Sequence, residues 1–92
     1  MAAPHPYWVY VLWSTTGECF YVGVTDDLDR RLAQHNDGSS QWTRRYAGSW
    51  ALVWQKSFDT LGVARAHENL LKRQRGGHGF FQHTGLDPAI YQ

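Results

Sequence analysis

The chain has 92 residues, 42% hydrophobic and 15% aromatic, which excludes a disordered segment and leaves room for one domain with a single core. A formal net charge of +1 excludes recognition driven by overall charge, so any electrostatic partner must be read from local patches. No apolar run approaches the roughly 20 residues of a membrane-spanning helix. Residues 1–6 lack the charged and apolar segments of a secretory signal, so a cytoplasmic protein is expected.

Residues 1–6, with Pro4 and Pro6, are expected to fray. Residues 7–13 are nearly all apolar and β-rich, which predicts a central strand covered on both faces. Residues 19–24 read as a second strand. Its Cys19 has no disulfide partner, suits a reducing compartment, and is expected to be buried or half-buried. Ser14-Thr15-Thr16-Gly17 forms the turn between the strands. With Thr15 and Thr16 at its tip, Tyr10 falls directly opposite Tyr21 on one face. Gly23 allows a bulge or a close approach.

Thr25-Asp26-Asp27 then supplies helix N-cap candidates, and Asp37-Gly38-Ser39-Ser40 ends that helix after about Asn36. Arg31 and His35, four apart, share a helix face. Residues 37–48 are a polar loop holding Trp42-Thr43-Arg44-Arg45-Tyr46, and residues 49–57 read as a third strand. Asp59 or Thr60 caps a second helix reaching about Gln74. Its predicted apolar stripe is Val63, Ala66 and Leu70, with Leu61, Ala64 and Leu71 beside it. Arg65, Glu68 and Lys72 form a separate polar stripe. Gly76-Gly77 stops the helix, and the tail is expected to be an irregular arm or a short helix around residues 87–91. The order β-β-α-β-α predicts an α/β (α+β) domain: a small three-stranded antiparallel sheet flanked by helices. One domain spans 1–92, with its core in about 7–75 and a tail over 76–92.

The polar residues without a core role are Tyr10, Tyr21, Arg31, His35 and Glu68, with Arg65 and Lys72 as further candidates. Phosphodiester hydrolysis needs a base for water, a cation on the phosphate, and charge neutralisation at the leaving oxygen. Tyr or His, Arg, and a carboxylate holding a divalent ion can supply them. Such an inventory is common, and bland readings stand beside it. The tyrosines could be a cross-strand packing pair, and Glu68 could form a helix pair with Lys72. His67, His78 and His83 make no recognisable zinc pattern.

The ordered set narrows this. Trp8-Val9-Tyr10, Tyr21-Val22-Gly23, the stretch Val24 to Leu32 with Arg31, then His35-Asn36 and finally Glu68 together resemble the GIY-YIG endonuclease family, in its small stand-alone bacterial branch. The resemblance covers about residues 7–75. It implies that Tyr10 and Tyr21 line the site and one of them activates or orients the attacking water, with His35 assisting. It implies Arg31 on the scissile phosphate and Glu68 as the sole protein ligand of one Mg²⁺ or Mn²⁺ ion. Trp8 departs from the first motif's glycine, Val24 stands where repair-type members carry lysine, and the asparagine of restriction-type members is not identifiable.

Arg30, Trp42, Thr43, Arg44, Arg45 and Lys72 are the candidate nucleic-acid contacts, through phosphate charge and base stacking. The expected partner is DNA, single-stranded or branched, with a protein partner available to supply specificity and a monomer as the default state. The alternatives are a nucleic-acid-binding module without catalysis and a protein-interaction scaffold anchored by exposed aromatics.

Overall fold

The computed structural model describes residues 5–91, so most of the arm expected over residues 1–6 lies outside them. Strand β1 (Tyr7–Ser14) is central, flanked by antiparallel β2 (Cys19–Thr25) and β3 (Trp50–Phe58) in the order β2-β1-β3. Alternation along β1 sends Val9 and Val11 to one face and Tyr10 and Leu12 to the other. Both sets are buried because helices cover both faces.

The β1–β2 hairpin differs from its expected register. Tyr10 pairs with Gly23, and Tyr21 pairs with Leu12, so the two tyrosines are diagonal neighbours. Ser14 causes the difference. Its carbonyl accepts from Glu18 N at 2.8 Å and its hydroxyl accepts from Gly17 N at 2.9 Å, which closes a longer turn. Glu18 takes a left-handed φ of 51° in that turn. A slip by an even number of residues keeps every side chain on its face, so Tyr10 and Tyr21 still share one.

Helix α1 (Leu28–Asp37) starts where Asp27 accepts from Arg30 N at 3.0 Å and ends at left-handed Gly38. A short 3₁₀ turn (Arg44–Tyr46) interrupts the loop that follows. Helix α2 (Leu61–Gln74) starts at Thr60, whose side chain accepts from Val63 N. Its predicted apolar stripe is rotated. Ala64 and Leu71 are buried, whereas Leu61 and Val63 are exposed, and so is Ala66. The sheet and tail supply aromatic bulk here, so the helix presents its small Ala64 to them.

The tail also departs from expectation. Helix α3 (His78–Thr84) forms ahead of residues 87–91, and its Phe80 is fully buried against Phe20, ring centroids 4.8 Å apart. Leu86 and Tyr91 fold back onto the same core. None of the described helices is long and apolar enough to cross a membrane.

Candidate active site

Tyr10 projects from β1 across Gly23 of β2. A Cβ added at Gly23 would lie 2.5 Å from Tyr10 Cζ, so only glycine leaves room for the phenol. The Tyr10 hydroxyl lies 2.8 Å from His35 Nε2, and His35 Nδ1 lies 2.6 Å from Thr43 Oγ1. His35 and Thr43 are almost wholly buried, as is Tyr10. Burial, reinforced by the nearby Arg31 charge, lowers the His35 pKa to about 4, so the imidazole is neutral near neutral pH. Burial first, then the Tyr21 and Glu68 charges, pushes the Tyr10 phenol far above its ordinary range against the opposing pull of Arg31.

A neutral imidazole carries one N–H. If Tyr10 donates to Nε2, then Nδ1–H donates to Thr43. If Thr43 donates to Nδ1, then Nε2–H donates to Tyr10. Either way the chain Tyr10–His35–Thr43 closes without a buried charge. It is a wall with fixed geometry, and Tyr10 is its non-ionising member.

The loop that brings Thr43 there is tied to α1 by side chains. Asn36 donates to Trp50 O at 3.0 Å and accepts from Gly48 N at 3.1 Å and Trp50 N at 2.9 Å. The Trp50 indole donates to Thr43 O at 3.0 Å. Arg31 donates to Gln34 Oε1 at 2.9 Å and reaches Ser40 Oγ at 3.4 Å. Arg31 is half-buried on the same helix side as His35, whereas Arg30 points outward and pairs with Asp26 at 3.5 Å.

Tyr21 is the other phenol. Its ring stands 4.8 Å from His35 and 6.3 Å from Tyr10, and it is half-buried. Tyr21 and Val22 point to opposite sheet faces, yet both line one cleft of about 330 Å³ with Trp42, Lys72 and Arg75. That cleft therefore straddles the free edge of β2. A second cleft of about 270 Å³ adjoins it, sharing Tyr21, Trp42 and Arg75 and adding Arg45 and Cys19. Cys19 is half-buried, as expected of it.

Glu68 faces this region from α2. Its carboxylate is 12% exposed and its Oε2 lies 3.1 Å from Lys72 Nζ. Among the described residues no cluster of three His, Cys, Asp or Glu could hold a metal. One carboxylate fits a hard divalent cation whose remaining positions go to water and phosphate oxygens; it does not fit a closed structural site.

The structure thus brings Tyr10, Tyr21, Arg31 and His35 together, with Glu68 and Lys72 across the β2 edge. Thr43 is not available to nucleic acid as expected, because its side chain is buried against His35. Arg44 is exposed, and the Arg45 guanidinium sits 5.4 Å from the Tyr46 ring centroid. Two contributors went unassigned in the sequence. Arg75 lines both clefts, and only the basic run from Lys72 to Arg75 signals it. Asn36 staples the loop; it stands beside His35 in the family resemblance, but nothing in the sequence gives it this role.

Comparison with known proteins gives this geometry a context. A model of the GIY-YIG catalytic domain matches residues 6–79. The chain is 35% identical over 71 residues to a UPF0213 protein of Aeromonas salmonicida, covering 77% of this chain and 52% of that relative. It is 35% identical over 71 residues to a UPF0213 protein of Streptococcus pneumoniae, covering 77% of this chain and 71% of that relative. The chain spans about half the length of the Aeromonas relatives it matches.

Proposed function

The chain belongs to the GIY-YIG family, and from that premise we propose that it is a divalent-metal-dependent DNA endonuclease. The observation that carries this reading is the cleft at the β2 edge. There a half-buried phenol, Tyr21, meets the cations Lys72 and Arg75, and Lys72 pairs with a largely buried carboxylate, Glu68.

The roles follow from exposure and charge. Tyr21 is the phenol that meets the attacking water, because Tyr10 is buried and held protonated against His35. Tyr10, His35 and Thr43 position the wall on which Tyr21 rests; His35 is too buried to touch substrate. Arg31 is the guanidinium for the scissile phosphate, which would compete with Gln34 and Ser40 for its donors. Glu68 would hold one Mg²⁺ or Mn²⁺ ion, which supplies Lewis-acid charge to the phosphate oxygens when bound. Releasing Lys72 from Glu68 would free both groups, one for the ion and one for a phosphate. Arg30, Arg44 and Arg45 are further phosphate contacts around the mouth. Contacts of this kind go to phosphate charge, which carries no sequence information, and so favour cleavage chosen by DNA shape rather than sequence. A protein partner is a route to specificity, and a monomer suffices for this cleft.

Cleavage of single-stranded, duplex and branched DNA with Mg²⁺ or Mn²⁺ tests the reading. The native chain should cut at least one of them, and Glu68→Ala should abolish the cut while retaining DNA binding. Metal-dependent cutting by pure Glu68→Ala protein would overturn the metal assignment. Binding without products on every substrate would favour a non-catalytic module.

A further inference from the structure

Trp42 is 78% exposed, the most exposed large apolar side chain among the described residues. Its backbone is nevertheless anchored. Ser40 and Thr43 on either side are 4% and 1% exposed, and their hydroxyls bond to Arg31 and His35. A fixed loop thus holds one indole out into solvent. Trp42 lines both clefts, each of which also contains Tyr21 and Arg75. The indole therefore stands as a partition between them, with Arg45 on one side and Lys72 on the other.

We propose that Trp42 is a stacking platform for an unpaired nucleobase next to the scissile phosphate, so that the preferred substrate is a single strand or a branch point with splayed bases. The proposal rests on the nuclease reading of the same cleft. An indole face stacks on any base, and stacking tolerates sequence. Intact duplex hides its base faces and offers only edges and phosphates, so it cannot use this platform. The charge around the indole fits a strand as occupant: Arg45 and Arg75 line one cleft with Trp42, and Lys72 and Arg75 line the other, so phosphates on either side of a stacked base would meet a cation. An apolar protein partner would offer Arg45 and Arg75 no counter-charge.

Binding measured in EDTA separates stacking from cutting. The probe is a single-stranded oligonucleotide carrying 2-aminopurine, compared with a duplex of the same sequence. The native chain should quench the probe and prefer the single strand. Trp42→Ala should lose the quench and weaken single-strand binding about 10- to 100-fold, with a much smaller loss on duplex. Trp42→Phe should recover most of both signals. Because the side chain is largely in water, its removal leaves the core contacts in place. Equal affinity of native and Trp42→Ala protein for the single strand, or an equal loss on both substrates, would overturn the platform. A second arm adds Mg²⁺ or Mn²⁺. Cleavage whose single-strand preference survives Trp42→Ala sinks the platform alone. A Trp42-dependent quench without any cleavage sinks the nuclease reading and leaves the platform on a binding protein.

Discussion

On the α2 side of the sheet, Val11, Phe20, Val22, Leu71 and Phe80 interlock by apolar contact alone. On the α1 side, the equivalent layer closes through Tyr10, His35, Thr43, Asn36 and Trp50, joined by hydrogen bonds. The two faces share β1, whose side chains alternate between them. Apolar burial is non-directional and supplies free energy in proportion to area. A buried hydrogen-bonded chain supplies little net stability, and its directionality fixes the positions of the groups it joins. The difference teaches a division of labour: one face holds the domain together, and the other holds Tyr21 and Arg31 in place.

The largest expected effect breaks the comparison on its apolar side. Phe80 is fully buried and packs with Phe20 and Phe81 at centroid distances of 4.8 and 5.4 Å. Phe80→Ala should cost about 3–5 kcal/mol in denaturant unfolding. Cleavage per folded molecule should change little. A stable Phe80→Ala protein with lost cleavage would mean that the apolar face also positions the site.

The next effect sharpens the comparison by pH. His35 has a pKa of about 4 in the folded chain and an ordinary value near 6.5 when unfolded. The unfolded chain therefore binds more protons between these values. The stability His35 contributes is intact above about pH 6.5 and falls as pH drops toward 4, by up to about 3 kcal/mol. His67, on the apolar face, shifts in the same direction through burial, aided by Lys56 and His83. Single variants therefore separate the faces: His35→Gln should flatten most of the acid slope between pH 6.5 and 4, and His67→Gln less of it. Equal slopes for His35→Gln and the native chain would contradict a neutral buried His35.

Much of this division is legible in the sequence. The nearly unbroken apolar run in residues 7–13 announces a strand covered on both faces, and Thr25-Asp26-Asp27 and Asp59-Thr60 offer helix starts that the structure places at Asp27 and Thr60. Tyr10, Tyr21, Arg31 and His35 were recognisable as a group through their order and spacing. What stayed hidden depends on tertiary geometry. The hairpin register was set by Ser14 hydrogen bonds rather than by turn propensity. The face α2 buries was set by Ala64 fitting beneath aromatics, where two overlapping stripes fit the pattern equally well. Helix α3 is a single short element between Gly77 and Gly85, too brief for a periodic signal. Thr43 lies in a loop, and only the fold shows that its hydroxyl meets His35 rather than DNA.

The smallest effect tests the shared strand pair where the faces meet. Gly23 lies directly opposite Tyr10, in ordinary backbone conformation, so its role is space rather than torsional freedom. Gly23→Ala places a methyl where the Tyr10 ring now lies. The ring must tilt, and its hydroxyl must leave the buried His35 Nε2. Overpacking of this kind costs about 1–3 kcal/mol. The loss in cleavage should exceed what the fall in folded fraction explains, because Tyr21 stacks near both displaced rings. Ala at this position combined with Tyr10→Phe separates clash from lost hydrogen bond. If the clash dominates, the double variant is more stable than Gly23→Ala, because Phe removes the hydroxyl, the atom nearest the added methyl. If the broken bond to His35 dominates, the two changes remove the same interaction, and their costs fall well short of adding. Strict additivity would show that Gly23 does not hold Tyr10 against His35 at all.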